Sequence, residues 1–116
     1  MTAPHLTPYV DAGPLVFLSG RIAFDEHGEV GGDITVQTQR CLERMERVLR
    51  DAGLTSSEVV KCTVWLRHDT NFAAFNAAYA AYFGAHVPAR STVVSGLAIT
   101  AALVEIEAIA SRGPRV

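Results

Sequence analysis

The chain has 116 residues, of which 49% are hydrophobic and only 19% charged, and its net charge is −2. That length suits one domain spanning residues 1–116, and the charge balance removes the electrostatic case for a dedicated nucleic-acid binder. With so few charges on so small a domain, part of the apolar surface is expected to lie against a partner subunit.

The opening stretch MTAPHLTPYV has no basic segment followed by an apolar run, so no signal peptide is expected there. No window approaches the roughly 18 apolar residues of a membrane-spanning helix, so no membrane partner is expected and the cytoplasm is the default location. Cys41 and Cys62 sit inside apolar patterns and are expected to be buried free thiols.

In chain order, Gly13-Pro14 is a turn signal before the strand LVFLSGRIAF (15–24). The polar, glycine-rich connection DEHGEVGGD (25–33) follows, with Asp25 to Gly28 suited to close a hairpin. A helical pattern begins at Asp33. Cys41, Leu42, Met45, Val48 and Leu49 fall on one stripe, and Gly53 supplies a left-handed stop. On the other side, Glu43–Arg47 and Glu46–Arg50 are i,i+4 pairs in the favourable order, so Arg40, Arg44, Arg47 and Arg50 are assigned to a solvated face.

Thr55 and Glu58 have capping-box spacing before the β-branched strand VVKCTVWLRH (59–68). A second helix is capped by Thr70 or Asn71, carries Phe72, Phe75, Tyr79, Tyr82 and Phe83, and ends at Gly84 with Pro88 beyond it. STVVSG (91–96) and ALVEIEAIAS (102–111) complete the chain as two strands joined by a loop around Leu97 to Ala101. The order β, β, α, β, α, β, β predicts an α+β domain: one mixed sheet with both helices on one face. The other face is bare unless another subunit covers it.

Two features suggest chemistry. Along VEIEAIA, Val104, Ile106, Ala108 and Ala110 make a core face, while Glu105 and Glu107 share the opposite face with Leu103 and Ile109. Packed against a partner, these glutamates need a hydrogen-bond partner or an elevated pKa, and a salt bridge with Arg90 or Lys61 is one structural solution. Arg90 stands at the start of a strand in VPARSTVVSG, where it either points into water or meets an anion. Arg90 and a glutamate on two neighbouring strands of a partly apolar face would make a binding site. The arginine would hold a carboxylate bidentately, and the glutamate would position or deprotonate a water.

Other candidates fall away. His5, His27, His68 and His86 are scattered, with no HxxxH or HExxH pair and no CxxC, so no metal site is expected. FLSGR lacks the GxSxG frame, leaving Ser19 without a nucleophile elbow, although the backbone beside Gly20 can offer N–H donors. Tyr9 and Trp65 are expected to pack.

The segments LVFLSGRIAFDEHGEVGGDITVQTQRCLERMERVL, VVKCTVWL, FNAAYAAYF, PARSTVV and VEIEAIA together resemble the RidA/YjgF family of reactive-intermediate deaminases, in the correct order over nearly the whole chain. The resemblance implies a chorismate-mutase-like α+β fold, assembled as a homotrimer around a central barrel with sites in clefts between subunits. It implies cofactor-independent hydrolysis of 2-imino acids to 2-keto acids and ammonia, so the expected partner is a small 2-imino or 2-keto acid.

Carried over residue by residue, Arg90 matches the arginine that grips the substrate carboxylate, and Glu105 matches the acid that orients water. Ser19 and Gly20 match a pair lining the cleft, Asn76 a helix position beside it, and Tyr9 a tyrosine that closes it, while Glu107 matches as a structural acid. Two positions depart from the family pattern and would still line the substrate. Thr92 stands where many deaminating members have cysteine, and Arg21 where SGQ is usual. A second cation at Arg21 favours a pathway-specific substrate such as an aminoacrylate or aminomuconate. A non-catalytic trimeric module that binds keto acids or a partner protein is the other alternative.

Overall fold

The first long helix begins where a side chain can satisfy a free N–H. In the computed structural model, which describes residues 3–113, Asp33 accepts a hydrogen bond from Val36 N at 2.9 Å and starts α1 (Ile34–Asp51). At the other end Gly53 takes φ 77°, and the N–H groups of Gly53 and Leu54 close on Arg50 O and Leu49 O at 2.9 and 2.8 Å. Arg112 adds a bond to Ala52 O at 2.6 Å.

β1 (Tyr9–Ala12) and β2 (Leu15–Ile22) form a hairpin through Gly13, whose φ of 65° a side chain would disfavour. The expected hairpin at Asp25 to Gly28 is present as a small loop. Phe24 bridges Val30, and the Asp25 carboxylate accepts from His27 N and Glu29 N. A capping box formed by Thr55 and Glu58 leads into β3 (Val59–Leu66), two residues shorter than its sequence pattern.

α2 (Phe72–Phe83) follows, then β4 (Ala89–Val94) and β5 (Val104–Ser111). Neither Thr70 nor Asn71 caps α2 through its side chain. A 3₁₀ turn at Asp69–Asn71 runs straight into the helix, so the backbone is already wound when α2 begins. β4 starts at Ala89, so Arg90 is its second residue, near the start of the strand as expected.

The five strands make one sheet in the order β1-β2-β5-β3-β4, with β3 and β4 parallel and every other pairing antiparallel. α1 and α2 cover one face, tied to each other by the Tyr82 hydroxyl donating to Glu46 at 3.1 Å. The core is the space between: Val16, Leu18, Val64, Leu66, Val104 and Ile106 from the sheet meet Leu42, Met45, Leu49 and Phe75 from the helices. Cys41 and Cys62 are buried free thiols in it, and burial pushes the Cys41 pKa up to about 12, so that thiol stays protonated.

Gln37 is a polar member of this core that periodicity does not single out. Its amide accepts from Leu103 N at 2.8 Å and donates to Gly32 O and Ala101 O at 3.2 and 3.3 Å, pinning the loop before β5 to the start of α1. Gln37→Ala is expected to cost about 2–4 kcal/mol, since it opens a cavity and leaves buried backbone groups unpaired. Urea unfolding at fixed protein concentration measures the loss.

The second face of the sheet carries Val10, Phe17, Ile109, Trp65 and Val93 alongside Glu105 and Glu107. In the protomer Val10, Phe17 and Val93 are 55%, 42% and 43% exposed. These are large exposures for β-strand apolar residues, and no helix among the described residues covers them.

Candidate active site

Arg90 does not splay into water. Register with Cys62 turns its side chain to the helix side of edge strand β4, where the guanidinium lies 4.8 Å from the Tyr79 ring centre, 5.4 Å from Phe75 and 5.7 Å from Phe72. The three rings stand on one flank of α2 because positions 72, 75 and 79 recur at helical spacing. One N–H of Arg90 donates to Asn76 Oδ1 at 2.9 Å, and no carboxylate among the described residues pairs with it.

The result is a cation held in place by rings and an amide, with other N–H groups available. It opens on a cavity of about 380 Å³ whose walls include Tyr79, Phe83, His86 and Val87. Beneath it, burial raises the Tyr79 pKa, helped by the Cys62 thiol, and burial also raises that of Cys62, so both stay neutral and leave Arg90 as the charge of the pocket. Thr92, two residues on, faces the same side.

Glu105 stands elsewhere. It is opposite Trp65 and Ile22 on the uncovered face, against the backbone of Gly20, where an added Cβ would run into its carboxyl group. Gly20 is thus required by a close approach and not by its φ. Burial, and then the charge of Glu107, raise the Glu105 pKa. The loop after β4, including Ser95, Gly96 and Leu97, walls the depression beside it. Arg67 holds that loop by donating to Leu97 O, Ile99 O and Ala102 O at 3.4, 2.9 and 2.8 Å. These contacts join residues about thirty apart in sequence, so no local pattern reveals them.

Three expectations are therefore corrected. β4 and β5 are not neighbours, because β3 runs between them. Arg90 and Glu105 point to opposite faces of the sheet, separated by two strand spacings, about 10 Å, and by a similar distance along β3. No salt bridge joins Glu105 to Arg90 or Lys61 among the described residues.

Arg21 also emerges away from Arg90. Simple alternation would set it beside Ser19 on the face of Phe17, but a bulge between Leu18 and Arg21 shifts the phase and places it opposite Ile106, on the helix side. It meets α1 there, far across the sheet from Arg90. Ser19, in the bulge, is tied to the segment before β1, donating from N to Pro8 O at 3.0 Å and from Oγ to Thr7 O at 2.5 Å. Tyr9 is opposite Leu18 and packs against the core. One protomer thus brings Arg90 and Asn76 together, with Thr92 on the same side of β4, and separately Gly20 and Glu105.

Residues 1–112 match the family model described as Endoribonuclease L-PSP. The chain belongs to the RidA/YjgF family. It is 38% identical over 112 residues to the 2-iminobutanoate/2-iminopropanoate deaminase of Salmonella typhimurium, covering 90% of this chain and 88% of that one. It is 37% identical over 114 residues to the 3-aminoacrylate deaminase RutC of Acinetobacter baylyi, covering 94% and 90%. The solved YjgF gene product of E. coli superposes with a TM-score of 0.87 at 35% identity, over 93% of this chain and 88% of the other. The single mixed sheet with two helices on one face is the architecture of these RidA/YjgF neighbours.

Proposed function

We propose that the protein hydrolyses small 2-imino acids to 2-keto acids and ammonia, at a site completed between protomers of a homotrimer. The observation that carries this is the Arg90 pocket: a guanidinium set over three rings, held by Asn76, with no acid of its own. Such a fork takes a carboxylate by two parallel N–H···O bonds.

Glu105 of the same protomer faces away from that pocket, so a water-handling glutamate must come from across an interface. The uncovered apolar face, which carries Glu105, supports association of that kind. In this arrangement Arg90 and Asn76 fix the carboxylate, and Glu105 of the partner subunit takes a proton from a water as its oxygen adds to the imine carbon. The nitrogen gains a proton, the C–N bond of the carbinolamine breaks, and ammonia leaves a keto acid. Holding the imine beside that water supplies much of the rate gain.

The names of the two deaminase relatives support this reaction class. Arg21, turned toward α1, gives no support to a second carboxylate at the Arg90 pocket.

An amino-acid oxidase that releases imino acids in situ tests the proposal. Imine loss is expected to quicken in proportion to added protein for several small amino acids, and analytical ultracentrifugation is expected to give three chains per particle. Tight keto-acid binding with no faster imine loss would leave only a binding module.

A further inference from the structure

The face of α1 that i,i+4 pairing assigns to solvent contains an anomaly. Arg44 lies over the Phe24 ring, 5.8 Å from its centre, and its Nε is buried with no acceptor among the described residues. Arg21, turned inward by the bulge of β2, lines the same depression as Arg44, and its Nε and Nη2 are likewise buried without an acceptor among the described residues. Neither residue is in a salt bridge among those described; Arg50 and Arg112 are.

Two neighbouring guanidiniums repel, and burial together with the Arg44 charge lowers the Arg21 pKa. Each buried donor without an acceptor also costs free energy, and unpaired buried groups of this kind are rare in folded proteins.

Arg47 completes the cluster. A depression of about 240 Å³ is bordered by Pro8, Arg21, Arg44, Arg47, Val48 and Asp51, three cations against one carboxylate. Beyond Arg44 and Arg47 the balance changes, because Asp25, Glu26 and Glu43 line the next hollow with them and Arg40. The excess positive charge is thus confined to one small place.

We propose that Arg21, Arg44 and Arg47 form an anion site, distinct from the Arg90 pocket, that binds a phosphate-type oxyanion, as the free ion or as the phosphoryl group of a small metabolite. A tetrahedral dianion has oxygens facing several directions and can accept from two guanidinium forks at once, while its charge matches the local excess. A planar carboxylate saturates one fork and supplies a single charge. A nucleic-acid backbone is disfavoured, because Asp25, Glu26, Glu43 and Asp51 flank the cluster and would repel a continuous polyanion. The site stands independently of the deaminase reading.

The test is calorimetric titration of the full chain with inorganic phosphate and, in parallel, glycerol phosphate, at ionic strength held constant with sodium chloride. Saturable binding of one ion per chain is expected. Arg21→Gln and Arg47→Gln are each expected to weaken it roughly tenfold or more, the scale of one lost charge-assisted bond. Arg90→Ala is expected to leave it unchanged. Arg47 is exposed, so its replacement tests the site even if Arg21→Gln fails to fold.

Binding of both probes assigns the site to phosphoryl groups in general, and binding of inorganic phosphate alone assigns it to the free ion. The proposal is overturned if phosphate titrates without saturation, if Arg90→Ala abolishes the binding, or if an RNA oligonucleotide binds the same arginines more tightly than phosphate. It is equally overturned if Arg21→Gln or Arg47→Gln dissociates the oligomer with phosphate binding intact, for then the cluster serves a carboxylate of another protomer.

Discussion

Replacing Arg90 by alanine is expected to slow imine hydrolysis roughly 10²–10³-fold, the loss of two charge-assisted hydrogen bonds at about 1.5–3 kcal/mol each, discounted for water that refills the pocket. The fold should survive. Arg90 lies on an edge strand, partly accessible, and its contacts are to ring faces and one exposed amide. Losing the cation–ring contacts is expected to cost about 0.5–1 kcal/mol, visible as a small drop in thermal midpoint.

Arg90→Lys separates charge from geometry. An ammonium keeps the positive charge but not the planar fork, so it should recover binding of a carboxylate in part and orientation hardly at all. In kinetic terms KM should recover more than kcat. Parent-like turnover by Arg90→Ala, measured with imines made in situ, would refute the assignment of the substrate to this pocket.

Glu105→Gln is expected to reduce turnover by about 10²–10⁴-fold, the usual scale for a positioned acid–base group, and at neutral pH to make the protein more stable. The second effect follows from the raised pKa of Glu105, caused first by burial and then by Glu107. A carboxyl that binds its proton more tightly when folded contributes stability that is fully present below its unfolded pKa. That contribution is lost as pH rises through the elevated folded value.

The parent should therefore weaken, relative to the glutamine variant, as pH climbs from the ordinary glutamate range toward neutrality. Urea unfolding of both proteins between acidic and neutral pH reads the difference, and a gap that stays constant or narrows on going up would contradict the sign. The same ionisation should set the acid limb of the rate profile, displaced above the ordinary glutamate value. If water activation depends on the ionised carboxyl, that limb is absent from the variant. Opposite effects on stability and rate are the pattern expected where a site keeps a charge in an unfavourable place.

Much of this was legible in local sequence. Asp33 and Gly53 bound a helix because a capping carboxylate and a left-handed stop act within one turn of chain. The alternation of VEIEAIA gives one buried and one half-buried face because strand side chains alternate whatever the strand pairs with. Arg90 and Glu105 stood out for the same kind of reason, as charges in otherwise apolar strand patterns.

The two unusual charges do not form one site within a protomer. Residues in β4 and β5 look adjacent in the chain, but β3 pairs between them, and the ladder order depends on contacts between distant segments. Arg44 likewise departs from its local pattern. Helical spacing put it on a solvated face, whereas Phe24 from the loop after β2 closes over it.

Composition, capping chemistry and the two periodicities determined the class of fold, its element order and which strands carry unusual charges, since all of these follow from interactions within a few residues. Only the tertiary structure decided on which side of the sheet each charge emerges. A single-residue bulge sends Arg21 to α1, and a parallel ladder with β3 turns Arg90 toward the rings of α2, away from Glu105. Face and neighbour are properties of strand pairing. Pairing is set by the burial of the whole core, which no short window of sequence contains.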